Sequence, residues 1–81
     1  MPKLPRDLSG AQLIRVLQKL GYVATRQTGS HVRLTCHAPK AHHLTIPLHD
    51  PLRIGTMAPI LAEVSQAQGV SREALLHTLF G

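Results

Sequence analysis

The chain has few aromatic residues, a single cysteine and no long apolar run. With one Tyr, one Phe and no Trp among 81 residues, its core must be built from Leu, Ile, Val and Ala. Cys36 cannot form an intramolecular disulfide, which fits a reducing compartment. No apolar run approaches the ~20 residues of a membrane span, and the N-terminus lacks the apolar segment of a secretion signal. We therefore expect a cytoplasmic protein that does not enter a membrane.

Acidic residues are also scarce. The chain has four Asp and Glu residues and nine Lys and Arg residues, which gives a net charge of +5 when its six histidines are neutral. A basic excess in so short a chain favours an anionic partner, with nucleic acid as the first candidate. A few units of charge also serve solubility, so the balance alone does not decide the partner.

The length predicts one domain over residues 1–81, with residues 1–7 as a flexible, proline-punctuated lead-in. The first helix is expected at about 9–20. Ser9 and Gln12 have the spacing of a capping box, apolar residues repeat along one face, and Gly21 can close the helix.

Two more helices are predicted in the second half of the chain. Thr56 is the expected N-cap of the second helix, which places Pro59 at its third position, where the missing N–H has no intrahelical partner to lose. Gly69 ends this helix, and Ser71 caps a short last one.

Strands fill the middle of the chain. They are predicted at Tyr22–Thr28, Ser30–His37 and His43–Leu48, with a turn at Gly29-Ser30 and a loop at 38–41. Pro47 cannot donate to a ladder, so the third strand must end near it or lie at an edge. Helices on one face of this antiparallel meander give an α+β two-layer sandwich, α-β-β-β-α, with a short extra C-terminal helix.

Alternation along the strands predicts one buried and one open sheet face. In the second strand, the outward residues are His31, Arg33, Thr35 and His37, and the inward residues are Val32, Leu34 and Cys36. In the third strand, the outward residues are His43, Thr45 and Pro47, and the inward residues are Leu44, Ile46 and Leu48. Packing does not require histidine and arginine on the open face, whereas chemistry on a phosphodiester would use them.

RNA carries its own nucleophile, the 2′-hydroxyl, so a metal-free ribonuclease needs a base and a group that stabilises the phosphorane. Histidine suits the first task because its ordinary pKa of about 6.5 lies near working pH. Arg33 suits the second through a bidentate phosphate contact. On sequence position alone, a strand histidine without a role fits His31 equally well.

Other polar residues support weaker hypotheses. A zinc site combining Cys36 with the nearby histidines is disfavoured, because the spacing matches no common ligand pattern and there is no second cysteine. The scattered basic residues mostly form a solvated face, and some are expected to contact a phosphate backbone. The RNA-binding candidates are Ser30, Arg33, Lys19, Arg26 and Arg53.

Motifs along roughly residues 9–79 resemble those of the HicA-type toxins, the YcfA-like mRNA interferases. That family shows Gly-Ser-His before alternating apolar residues, a strand ending in apolar-Pro-x-His, a Gly-Thr-apolar helix start, and a first helix that ends in Leu-x-x-x-Gly-aromatic. Here these motifs read Gly29-Ser30-His31-Val32-Arg33-Leu34, Ile46-Pro47-Leu48-His49, Gly55-Thr56-Met57 and Leu20-Gly21-Tyr22. Each motif is weak alone, and their order and spacing together are specific.

The resemblance implies a fold similar to a double-stranded RNA-binding domain and a toxin that cleaves mRNA without metal or cofactor. It also implies that His31 is catalytic and that a HicB-type antitoxin binds the toxin and masks this histidine. His49 closes the Pro-x-His motif, and its roles as leaving-group acid or as loop cap both remain open. Residues 62–68 make the second helix longer than in typical members by about one turn. A non-catalytic RNA-binding module and an interaction protein bound by an antitoxin are the alternatives.

Overall fold

The computed structural model describes residues 4–5, 7–37 and 41–81. Its helices are α1 (Gly10–Leu17, followed by a 3₁₀ turn at Gln18–Leu20), α2 (Ile54–Gln68) and α3 (Arg72–Phe80), and its strands are β1 (Val23–Thr28), β2 (His31–Cys36) and β3 (His42–Pro47). The predicted lead-in at 1–7 and the predicted loop at 38–41 fall largely outside the described residues. Within those residues, every helix is too short or too polar to cross a membrane.

The three strands form one antiparallel sheet in the order β1-β2-β3. Thr28 pairs with His31 across the two-residue turn, where Gly29 adopts a φ of +58° that favours glycine. The sheet and the flanking helices confirm the predicted α+β architecture and the α-β-β-β-α order, and α3 is the extra C-terminal helix.

The core lies between the helices and one face of the sheet. Strand residues Val32, Leu34, Cys36, Leu44 and Ile46 are buried there against α1, α2 and α3. The inward alternation of β2 is therefore confirmed, and Cys36 is buried as expected.

The end of β3 departs from the predicted alternation. Leu48, expected inward, is 37% exposed, whereas Pro47, expected outward, is buried. The strand ends at Pro47, as predicted for an edge strand, so alternation does not extend to Leu48. The start of α1 packs closely on Pro47, because a Cβ built at Gly10 would collide with the Pro47 carbonyl oxygen.

The start of α2 also differs from the prediction. The predicted caps are correct at the other helices: Ser9 and Gln12 form a capping box at α1, and Ser71 Oγ accepts from the Ala74 N–H at α3. The prediction of Thr56 as N-cap is wrong, because the N-cap of α2 is extended Arg53, three residues earlier, and it makes no side-chain cap. Pro59 consequently lies inside α2 and removes one helical hydrogen bond.

Candidate catalytic site on the open sheet face

A cavity of about 230 Å³ opens on the sheet face opposite the buried core. Its lining residues are Arg26, Thr28, His31, Arg33 and Thr45, and all five are exposed. The structure thus brings together three of the candidate site residues, His31, Arg33 and Arg26. Thr28 and Thr45, which the sequence did not single out, complete the cavity.

The strand register fixes how these side chains are arranged. On central β2, His31 pairs with Thr28 of β1 and with Pro47 of β3. Two residues further along β2, Arg33 lies between Arg26 and Thr45. The histidine and both arginines therefore lie on one face of adjacent strands, within reach of a single group bound in the cavity.

An irregularity in β1 puts Arg26 in this cavity. The register shifts between Ala24 and Arg26, so Thr25 is an extra residue without a partner in β2. With regular pairing, Arg26 would have lain opposite Val32 and faced the covered side of the sheet. The bulge turns Arg26 and Thr28 toward His31, an effect that β-bulges often have beside functional sites.

Thr25 is held by hydrogen bonds that extend across the sheet. Its Oγ1 lies 2.9 Å from Thr35 Oγ1 and donates to the Arg33 carbonyl oxygen over 3.4 Å. Thr35 Oγ1 lies in turn 3.0 Å from His43 Nδ1. Thr35, predicted to face outward, is only 7% exposed, and its hydroxyl is bonded between the side chains of Thr25 and His43. The bulged residue is thus bonded to central β2, and Thr35 continues the chain of hydrogen bonds to β3.

Two candidate residues, Ser30 and His49, lie where the ladder ends beside His31. The Ser30 carbonyl accepts from the Leu48 N–H at 2.6 Å, and the His49 carbonyl accepts from the Gly10 N–H at 2.8 Å. The backbone of His49 is therefore held between β3 and α1. Its side chain is exposed and does not line the cavity.

Lys19 and Arg53 are not part of the cavity. Lys19 Nζ donates to the Leu79 carbonyl at the end of α3, with a distance of 3.4 Å. Arg53 is exposed at the N-cap of α2. The five RNA-binding candidates thus divide into Arg33 and Arg26, which line the cavity, and three residues that do not.

The cavity is strongly one-sided in charge. None of the chain's four acidic residues lines it, whereas two arginines do. Within the described ranges, no group of three or more His, Cys, Asp or Glu side chains is arranged to hold a metal ion. The chemical groups available at this site are therefore an imidazole, two guanidinium groups and two hydroxyls.

A second cavity, of about 220 Å³, lies where the starting end of β3 meets α2, and it is lined by His42, Glu63, Gln66 and Ala67. Next to it, the Tyr22 phenol oxygen lies 2.9 Å from His42 Nδ1. Burial raises the pKa of Tyr22, a hydrogen bond from Gln68 opposes this shift, and nearby Glu63 is among the groups that add to it. This cavity carries a carboxylate and no arginine or lysine among its lining residues, so it differs in character from the arginine-lined cavity.

The bulge explains why part of the site was missed. The alternation of β3 predicts that Thr45 faces outward, and pairing of β3 with β2 places it directly beside Arg33, so the sequence could have indicated Thr45. It could not have indicated Thr28, because the orientation of Thr28 depends on an extra residue that no glycine or proline in β1 marks.

Comparison with known proteins identifies the family. A family model described as the HicA toxin of bacterial toxin–antitoxin systems matches residues 10–66. Neither the curated proteins nor the solved structures contain a match to the chain. The matched range contains the whole sheet and every residue of the arginine-lined cavity, and it ends inside α2 before α3 begins. The chain belongs to the HicA family, the toxins of bacterial toxin–antitoxin systems.

Proposed function

We propose that this toxin is a metal-independent endoribonuclease that cleaves mRNA in the cytoplasm through His31. The observation that carries the proposal is the position of His31 on the uncovered sheet face, in one cavity with Arg26 and Arg33 and with no carboxylate. A phosphodiester would find there both a proton acceptor and positive charge.

The reaction needs only groups that this site and RNA itself supply. His31 takes the proton of a 2′-hydroxyl as that oxygen attacks the adjacent phosphorus. Arg33 stabilises the negative charge on the phosphorane oxygens. The P–O5′ bond then breaks, the 5′-oxygen gains a proton, and a 2′,3′-cyclic phosphate remains on the other fragment. His49 is a candidate for the group that supplies this last proton, and a role as loop cap is its alternative.

The antitoxin of this system is the expected protein partner, and we propose that it is of the HicB type and covers the His31 face. Leu48 supports a protein contact there, because it is 37% exposed and directly follows the residue paired with His31. An antitoxin seated on Leu48 and the cavity would exclude RNA.

Cleavage of RNA by purified protein in EDTA tests the proposal. Wild type should degrade RNA, and His31→Ala should lose about 10²- to 10⁴-fold in rate. His77→Ala is the matched control, because His77 is an exposed histidine on α3, outside the cavity. If wild type and His31→Ala both bind RNA and neither cuts it, the protein is the non-catalytic RNA-binding module instead.

A further inference from the structure

Two arginines face each other across neighbouring strands in the cavity. Arg26 and Arg33 are direct partners in the β1–β2 ladder, and both line the same concave surface. Like charges placed directly opposite each other on a sheet repel and destabilise it. The chain's acidic residues are all outside the cavity lining, so none offsets this repulsion there. A bound anion would therefore relieve the repulsion between the two guanidinium groups.

The remaining lining groups are donors that suit phosphate oxygens. Thr28 follows Arg26 by two positions on β1, and Thr45 pairs with Arg33 from the other side. Hydroxyl groups and guanidinium forks both bind phosphate, and guanidinium does so with two parallel hydrogen bonds. The volume of about 230 Å³ lies below the roughly 300 Å³ at which pockets for drug-sized ligands begin. A single phosphate group with part of its sugar matches the cavity in size and chemistry.

The β1 bulge keeps the two arginines side by side despite their repulsion. The extra residue Thr25 turns Arg26 to the open face, and the hydroxyl of Thr25 is bonded to Thr35 and to the Arg33 carbonyl. The backbone of both arginines is thereby fixed in the β1–β2 ladder before any ligand arrives. Such preorganisation strengthens binding, because less backbone ordering remains for the ligand to impose.

We propose that this cavity is a preorganised phosphate-binding site in which Arg26 and Arg33 hold one phosphate group between them, beside His31. Its physiological ligand is a phosphate of the RNA backbone, an assignment that rests on the proposed function. Binding of inorganic phosphate to the site does not depend on that function. Arg26 is thus a second phosphate ligand, brought to the site by the bulge.

Titration with inorganic phosphate tests the site directly. Amide and arginine side-chain NMR signals of the full chain are followed as phosphate replaces chloride at constant ionic strength, which separates specific binding from screening. Wild type should show saturable shifts centred on the cavity. Arg26→Ala and Arg33→Ala should each raise the dissociation constant about tenfold or more, the effect of losing one hydrogen-bonded charge. Arg72→Ala, which removes an exposed arginine from α3, should leave it unchanged.

A shift that does not saturate, or an equal loss in Arg72→Ala, would overturn the phosphate site. A second arm connects the site with RNA: phosphate should inhibit RNA cleavage competitively in wild type, and Arg26→Ala should weaken this inhibition. Saturable phosphate binding without competition overturns the assignment to an RNA phosphate. The proposed function is decided separately by the cleavage rate of His31→Ala, so each idea can fail alone.

Discussion

The two ends of the open sheet face carry histidines in contrasting surroundings. His43 is tied to Thr35 by a 3.0 Å hydrogen bond and continues a chain of side chains that reaches the β1 bulge. His31 lies at the other end, in a cavity lined by two arginines and two threonines. A histidine held by neighbouring side chains supports the structure, whereas one that faces an anion-attracting cavity is available for chemistry. Under the proposed function, the same residue type thus has two roles on one face, and the surrounding residues decide between them.

Replacing each histidine by alanine tests directly whether the two residues have different roles. His31→Ala should reduce RNA cleavage about 10²- to 10⁴-fold with little loss of stability, because the side chain is exposed. His43→Ala should retain cleavage and lower the free energy of unfolding by about 0.5–1.5 kcal/mol, since Thr35 loses a partner. Cleavage assays and urea unfolding on the same samples measure both effects. The reverse pattern would contradict the division of roles.

Gly10 offers a way to disturb the His31 end alone. A Cβ at position 10 collides with the carbonyl of Pro47, the residue paired with His31, and backbone on both sides would have to move. Gly10→Ala should therefore lower the free energy of unfolding by about 1–3 kcal/mol. Thermal unfolding measures this loss, and NMR shift changes should concentrate at His31 rather than at His43.

Gly55→Ala is the matched control for that substitution. Gly55 lies in the first turn of α2, and a Cβ there meets no atom within 4 Å. The same chemical change should therefore stabilise the protein by about 0.5–1 kcal/mol, because it lowers the entropy of the unfolded chain. Equal destabilisation by both substitutions would mean that the contact between α1 and β3 is not what constrains position 10.

Thr25 connects the two ends and sharpens the comparison further. Thr25→Val keeps the size of the side chain and removes the hydroxyl that bonds Thr35 and the Arg33 carbonyl. Thr25 does not line the cavity, so the substitution should act only through the position of Arg26. Losing about 1 kcal/mol of hydrogen-bond energy that holds the bulge should weaken phosphate binding roughly fivefold. Thr25→Ser should restore the wild-type dissociation constant. If valine and serine behave alike, the hydroxyl does not position the bulge.

Much of the fold followed from local sequence signals. Helix boundaries were predicted correctly where a residue marks them by its own side chain or by a left-handed backbone. These residues are Ser9 with Gln12, Gly69 and Ser71. The start of α2 was misplaced because Thr56 is a favourable cap by type, whereas the chain enters the helix at Arg53 without any side-chain cap. The N–H groups of Thr56 and Met57 both donate to the Arg53 carbonyl oxygen over 2.9 Å, so the backbone closes this turn without a side-chain cap.

The candidate site was only partly accessible to sequence reasoning. Alternation places His31 and Arg33 on one face, because that regularity belongs to a single strand. The meeting of Arg26 with Arg33 depends on the register between strands and on one extra residue in β1, and neither has a local signal in this chain. Burial of Pro47 likewise depends on the close approach of Gly10, which is 37 positions away in sequence. The contacts that shape the cavity are thus the non-local ones.

Tyr22 permits the smallest and most selective test, on the covered side of the sheet beneath the His43 end. Burial raises the pKa of its phenol above the ordinary value of about 10, so the folded state favours the neutral form. The stability from this preference is fully present below about pH 10 and is lost as the pH rises through the pKa of the folded state. Tyr22→Phe cannot ionise, so its stability deficit relative to wild type, measured by urea unfolding, should shrink above that pH. Because Tyr22 is the only tyrosine, phenolate absorbance reports its ionisation directly in the same samples. A deficit that stays constant while the phenolate signal appears would mean that the buried phenol is not linked to folding.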